Sequence, residues 1–306
     1  MTEEVNGEVG LPGLLKVLDL NGQSDLHFTG DSFTAPVADR VYGGQVLAQA
    51  VIACGRTVDP ERPPHSLHAY FLRQGSVNLP IDFEVENLHD GHSFSARRVR
   101  VLQAGAPILS ATASFQVVQP GYDAQVNMPR NVPPPEAGES HREVLRGTNF
   151  PNAHWWGRDA AFEFVQVAPP IILESDPSAS DRQMVWVRAR GIVPPPPTKD
   201  VSEQLWHRAL LAFACDQLLL EPAVRRAGMS WLDLRKAGIP FASLDHAMWW
   251  HRDLRVDEWL LFVQEAGSSF GGRSMGQARV YTADGALVAS IAQEGMLRIP
   301  HGDVRS

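Results

Sequence analysis

Two polar residues sit where the surrounding pattern calls for apolar ones, and either could do chemistry. Between 203 and 220, steps of three and four place Asp216 on the same helical stripe as Leu205, Ala209, Ala212 and Leu219. A carboxylate on an apolar stripe loses its hydration, so it must be paired, neutralised or poised as a base with a raised pKa. A structural Asp bonded to a neighbouring backbone or side chain fits the same pattern. On a strand, alternation puts Gln293 at the end of the row Leu287, Ala289, Ile291. A buried amide needs partners for both its oxygen and its NH2, which makes Gln293 either a core hydrogen-bonder or a holder of a water or substrate carbonyl. Ser243 begins a strand-like run to Trp250 and carries no signal by itself.

Other patterns point away from familiar chemistries. Gly272-Arg273-Ser274-Met275-Gly276 has the form of a nucleophile elbow, but that motif needs a helix after it and an acid and a His downstream. The next segment reads as a strand and the last His is His301, so a glycine-rich bend between strands is the better reading. His246 and His251, five apart on a strand, face opposite ways and suit no shared metal; no Cys/His cluster, phosphate loop or dinucleotide fingerprint occurs, so neither a metal nor a cofactor is expected. His68 and the pair Trp249-Trp250 read most simply as core or cavity lining.

The elements that must position these residues come in two similar sets. Gln45 to Ala53 reads as an apolar helix entered through Gly43-Gly44, followed by strand-like runs at about 66–73, 81–88, 92–103 and 107–118. A second helix at about 202–220 precedes strands near 241–250, 258–267, 273–283 and 286–298. Asp90-Gly91, Ala104-Gly105 and Asp284-Gly285 stand where hairpin turns belong. Short matches recur in order: Ser66-Leu67-His68-Ala69 with Ser243-Leu244-Asp245-His246-Ala247, Ser93-Phe94 with Ser269-Phe270, and Ser110-Ala111-Thr112-Ala113 with Ala289-Ser290-Ile291-Ala292. An internal duplication follows, with α+β units of one long helix and a curved antiparallel sheet. Prolines 133–135 and 194–197 punctuate the chain; we read residues 1–118 as one unit, 119–159 as a proline-rich connector and 160–306 as the second unit.

With 306 residues, 44% apolar and 20% charged, the chain has the composition of a soluble protein, and no stretch approaches the roughly 18 apolar residues of a membrane helix. A net charge of −8 disfavours broad nucleic-acid binding while leaving room for a local anion pocket. Only Lys16, Lys199 and Lys236 are lysines, so an Arg is not informative by its type. Cys54 and Cys215 lie in apolar Ala-rich stretches and behave as small hydrophobes, in keeping with a reducing, cytoplasmic setting. The acidic start at Met1-Thr2-Glu3-Glu4 predicts no signal peptide, and Asp303-Val304-Arg305-Ser306 is no peroxisomal address.

The chain resembles the type II acyl-CoA thioesterases. The segments that carry the resemblance are Arg40 to Val46, Leu67 to Leu72, Asp90 to Phe94, Phe213-Ala214-Cys215-Asp216, Leu244 to His251 and Ala292-Gln293-Glu294-Gly295, in family order over most of the chain. The resemblance implies a double hot-dog fold and metal-free hydrolysis of acyl-CoA. It implies a catalytic set of Asp216, Ser243 and Gln293 holding one water, Ser243 standing where many members have Thr. Oxyanion stabilisation from the helix start at Gly44-Gln45, and CoA contacts from Arg252 and Arg273, are weaker expectations. Acyl-CoA is then the expected partner, with a homodimer or homotetramer as the expected assembly and neither nucleic acid nor membrane. A double hot-dog enoyl-CoA hydratase and a non-catalytic acyl-CoA binder are the alternatives. The hydratase needs a His beside the Asp, and Gln217 and Leu218 follow Asp216.

Overall fold

In the computed structural model, residues 9–32 and 39–299 are described; the acidic start, the C-terminal tail and His301 lie outside them. Helix α1 (Gly10–Leu18) and the hairpin β1 (Asn21–Ser24) and β2 (His27–Gly30) precede the apolar helix α2 (Gly43–Gly55). Four strands follow: β3 (Pro64–Phe71), β4 (Ile81–Asp90), β5 (Phe94–Gln103) and β6 (Ala106–Gln116). The chain then passes through β7 (Glu139–Ser140), α3 (His141–Val144), β8 (Phe162–Gln166) and β9 (Arg182–Ala189) to α4 (Glu203–Cys215), α5 (Glu221–Arg226) and α6 (Trp231–Lys236). The last five strands are β10 (Phe241–Ser243), β11 (Asp245–Trp250), β12 (Leu260–Phe270), β13 (Arg273–Thr282) and β14 (Leu287–Leu297).

The described strands form one antiparallel sheet whose order, β2-β4-β5-β6-β3 followed by β11-β14-β13-β12-β9, is the same path run twice in mirror sequence. The two halves meet where β3 pairs with β11, Ala69 opposite His246 and Leu67 opposite Met248. The meander turns fall at the expected places; Ala104 and Gly105 take φ of 48° and 76°, the left-handed pair that matches strand twist. Inward side chains of both half-sheets and both long helices form one continuous core.

Helix α2 is buried from Gly44 to Gly55 and α4 from Leu205 to Cys215, and they pack against each other rather than only on their own strands. A methyl group at Gly55 would lie 2.3 Å from Leu205, and one at Gly44 would lie 2.4 Å from the Phe213 carbonyl oxygen. Glycines at both ends of α2 therefore let two antiparallel helices approach closely, with the start of α2 against the end of α4. The polar exceptions on α2 are satisfied: Gln49 Nε2 donates to the carbonyls of Val17 and Asp31, and Gln45 Nε2 donates to that of Asp31.

Several expectations need correction. The second helix ends at Cys215 instead of running to 220, and the chain turns before α5 starts with Pro222 in its first turn. Pro222 has no N–H for the Leu218 carbonyl and its ring crowds that carbonyl, so a helix cannot run unbroken through 218–222. Strands β8 and β9 and the elements before α2 carry no turn signals that the sequence reading used. From within residues 119–159, β7 pairs with β8 and Gln125 bonds both Gly285 and Leu287. His68 and Trp249 are exposed and stack edge-to-face on the outer surface, whereas Trp250 is buried.

The close crossing yields a prediction. Gly44→Ala forces a methyl against a backbone oxygen and the Tyr42 ring, so we expect a loss of about 1–3 kcal/mol in urea unfolding. Ala48→Gly in the same helix introduces no clash, and should cost the helix-propensity difference of about 1 kcal/mol together with roughly 1 kcal/mol for the buried methyl it removes.

Candidate active site

Asp216 is the residue that follows α4, with helical φ and ψ of −70° and −9°. The turn that carries it packs onto the sheet through two more close approaches. A methyl at Gly276 would lie 1.9 Å from the Leu219 carbonyl oxygen, and one at Gly295 would lie 2.2 Å from Leu220. The elbow-like motif is thus a hairpin and strand: Gly272 has φ of 75° and Ser274 is buried in β13, its hydroxyl 2.9 Å from that of Ser269.

Around Asp216 the structure gathers three donors. Ser243, at the end of β10, gives its hydroxyl to Asp216 Oδ1 at 2.8 Å. Gln293 Nε2 donates to the same Oδ1 at 3.1 Å and to Ser243 Oγ at 2.7 Å. The backbone N–H of Gly44, in the first turn of α2, donates to the carboxylate as well. Gly43 leaves the space that the carboxylate occupies, since a methyl there would lie 2.6 Å from Asp216 Oδ2. Burial nonetheless outweighs these bonds and raises the Asp216 pKa from 3.8 to about 6.

Asp216 and Ser243 line a cavity of about 460 Å³ between the two halves, with Gln293 buried beneath them. Its walls are mostly apolar: Val41, Phe71 and Ile108 from the first half, Phe150 and Trp156 from the connector, Leu218, Leu220 and Leu244 from the second. Arg40, Arg73 and Arg235 supply cationic groups, and buried Glu221 adds a second carboxylate. An apolar cleft with a few convergent polar groups and a perturbed carboxylate is the usual form of a small-molecule site.

The weaker expectations fare differently. Gly44 reaches the site, but its N–H is engaged by Asp216 instead of being open to an oxyanion. Gln45 does not line the cavity; its backbone N–H bonds the Tyr42 carbonyl. Arg252 pairs with Asp123 and donates to the Leu287 carbonyl, and Arg273 pairs with Glu294 at 2.9 Å. Neither arginine lines the cavity, because local acidic groups and strand positions hold both elsewhere. The sequence reading missed His246, whose Nδ1 lies 2.7 Å from Gln293 Oε1, and the role of Gly43; the only available signal was their place in the recurrent segments.

Comparison with known proteins gives a consistent result. The acyl-CoA thioesterase N-terminal domain matches residues 32–116 and the acyl-CoA thioesterase C-terminal domain matches residues 130–297. Acyl-coenzyme A thioesterase 8 of Mus musculus is 33% identical, over 97% of this chain and 92% of its own. Acyl-CoA thioesterase 2 of Haemophilus influenzae is 31% identical, over 94% and 98%. The crystal structure of an acyl-CoA thioesterase II from Mycobacterium marinum superposes with a TM-score of 0.74 at 34% identity, covering 94% of this chain and 99% of that one. A hot dog fold protein from Alicyclobacillus acidocaldarius, at 18% identity and a TM-score of 0.71, shares the fold.

The balance at Asp216 can be read directly. Carbon-detected NMR of the carboxyl group should give a titration midpoint about two pH units above that of an exposed aspartate, with the ionised form present above about pH 6. A midpoint near 4 would show that the three donors outweigh burial.

Proposed function

The chain belongs to the acyl-CoA thioesterase family, and from that premise we propose that it hydrolyses fatty acyl-CoA with Asp216 as general base on a water shared with Ser243 and Gln293. The observation that carries the assignment is the hydrogen-bonded ring of these three side chains beside an apolar cavity. In that ring every N–H of the Gln293 amide and the Ser243 O–H is already donated. A water enters by replacing one of those bonds, accepting from Ser243 or Gln293 and donating to the Asp216 carboxylate. Its oxygen is then fixed while its proton has an acceptor, the arrangement that general-base catalysis needs.

The water oxygen adds to the thioester carbonyl carbon as Asp216 takes its proton. The tetrahedral intermediate collapses with cleavage of the C–S bond, releasing the carboxylic acid and the CoA thiolate, which accepts the proton that Asp216 holds. Thiolate is a good leaving group with a pKa near 8.5, so no strong acid is required. A base with a pKa of about 6 is largely ionised at neutral pH while staying more basic than an ordinary aspartate. The apolar walls suit a fatty acyl chain, and the arginines 40, 73 and 235 suit the phosphates of CoA. A reducing cytoplasmic setting fits Cys54 and Cys215, both buried and free.

Release of free thiol from medium- and long-chain acyl-CoA tests the reading, since a hydratase or a passive binder releases none. Asp216→Asn should fold with an unchanged thermal midpoint and lose roughly 10²- to 10⁴-fold in kcat. Ser243→Ala and Gln293→Ala should each lose less, and the double variant should lose less than the product of the two. In the wild type, kcat/KM should fall as pH drops through about 6, where the base takes up its proton. Wild-type turnover in Asp216→Asn would overturn the assignment.

A further inference from the structure

Gln293 can act as a donor to Asp216 and Ser243 only if its amide is held in one of its two near-isosteric orientations. Rotating the amide by half a turn would place Oε1 against the Asp216 carboxylate and the Ser243 oxygen, setting acceptor against acceptor. What faces the other end of the amide therefore matters. That neighbour is His246, from β11, fully buried, with Nδ1 2.7 Å from Gln293 Oε1.

An amide oxygen can only accept, so Nδ1 must carry the proton and Nε2 must be the bare nitrogen. His246 Nε2 is buried and has no hydrogen-bond partner among the described residues. The Nδ1–H tautomer leaves a lone pair unpaired there; the opposite tautomer would strand a buried N–H and set the Nδ1 lone pair against Oε1, which costs more. Burial also lowers the His246 pKa to about 4, so the ring stays neutral and cannot donate from both nitrogens at neutral pH.

We infer that His246 is a positioning residue, whose Nδ1–H locks the Gln293 amide with its NH2 toward Asp216 and Ser243. The inference rests on the proposed role of Gln293 in the hydrolytic set. His246 itself has no route to the reacting atoms: it does not line the cavity, and it contacts the site through the amide. Orientation of the amide then couples to Asp216, because a dependable donor favours the carboxylate over the acid. Tyr42 and Cys215 face Asp216 as well; burial and the Asp216 charge push the pKa of both up, so both are neutral. Glu221, Arg40, Arg73, Arg235 and the buried, neutral His141 share its cavity, and Gln293 is the polar group acting on His246.

The test compares His246→Asn, whose side-chain NH2 can occupy the place of Nδ1–H, with His246→Leu, which fills space without a donor. His246→Leu should lose roughly tenfold in kcat with KM little changed, and its acid limb should move up by about one pH unit. His246→Asn should keep kcat within roughly threefold and keep the wild-type limb. Carboxyl-carbon NMR of Asp216 in each variant separates its titration from that of Glu221. Nitrogen NMR of the imidazole in the wild-type protein should show the Nδ1–H tautomer, a readout that does not depend on any variant folding.

An Nε2–H tautomer, a His246→Leu enzyme with wild-type kcat and pH profile, or equal losses in both variants would each overturn the inference. Gln293→Ala measured alongside distinguishes its failure from that of the hydrolytic assignment. Full activity in Gln293→Ala removes both, whereas an impaired Gln293→Ala with an unimpaired His246→Leu removes only the positioning role.

Discussion

The close antiparallel crossing of α2 and α4 is the constraint on which the site depends. Gly44 and Gly55 remove the side chains that would hold the helices apart, and Phe213 and Leu205 fill the space left. The crossing fixes the start of α2 beside the end of α4, one from each half of the chain. Asp216 and Gly44 can meet only there, so the buried carboxylate belongs to the second half while one of its donors belongs to the first. Three further glycines serve the same end, since Gly43, Gly276 and Gly295 each make room for Asp216 or for the turn that follows it.

Given that frame, hydrogen-bond accounting determines how the polar groups are arranged. Asp216 Oδ1 accepts twice, Ser243 both gives and accepts, and Gln293 gives twice through nitrogen and accepts once through oxygen. Glu221, the other buried carboxylate at the cavity, is treated differently. It takes bonds from Trp231 and Gln166 and lies 3.8 Å from the Arg225 guanidinium, itself fully buried. A carboxylate facing a buried guanidinium is a structural pair, costly to break. Asp216 has only neutral donors, which hold a carboxylate in place without making protonation prohibitive. Burial raises the pKa of both carboxylates, and the difference between them lies in their partners: Glu221 has a cation 3.8 Å away, Asp216 has neutral donors alone.

Much of this was legible in the sequence. Asp216 and Gln293 stand out because periodicity assigns them to apolar rows, and the repeated order of helix, strands and turn residues announces two related units. The last three strands of each meander were readable because Gly-containing turns separate them. What was not legible depends on tertiary distance. No local pattern says that α4 stops at Cys215, since Pro222 acts from the following turn. His68 and Trp249 look like core by composition, yet the strand seam turns both outward. Arg252 and Arg273 were indistinguishable from other arginines until Asp123 and Glu294 were seen to hold them.

The two ends of the helix pair explain why the site occurs once in a duplicated fold. At one end Arg56 follows α2 and lies beside the start of α4, where it pairs with Asp200 at 2.6 Å and bonds the Leu20 carbonyl. A cation after a helix C-terminus is favoured by that helix's own dipole, so this end is electrostatically at rest. At the other end the residue after α4 is Asp216, an anion at the wrong end of its own helix. It is tolerated because the start of α2, antiparallel and in close contact, presents the opposite dipole and an N–H. The partial cancellation, together with burial, leaves the carboxylate less stabilised than an ordinary ion pair would make it. The pair of Arg56 and Asp200 holds its carboxylate below the usual range, whereas burial and the conflict at Asp216 raise its pKa to about 6, and the apolar cavity opens at that end.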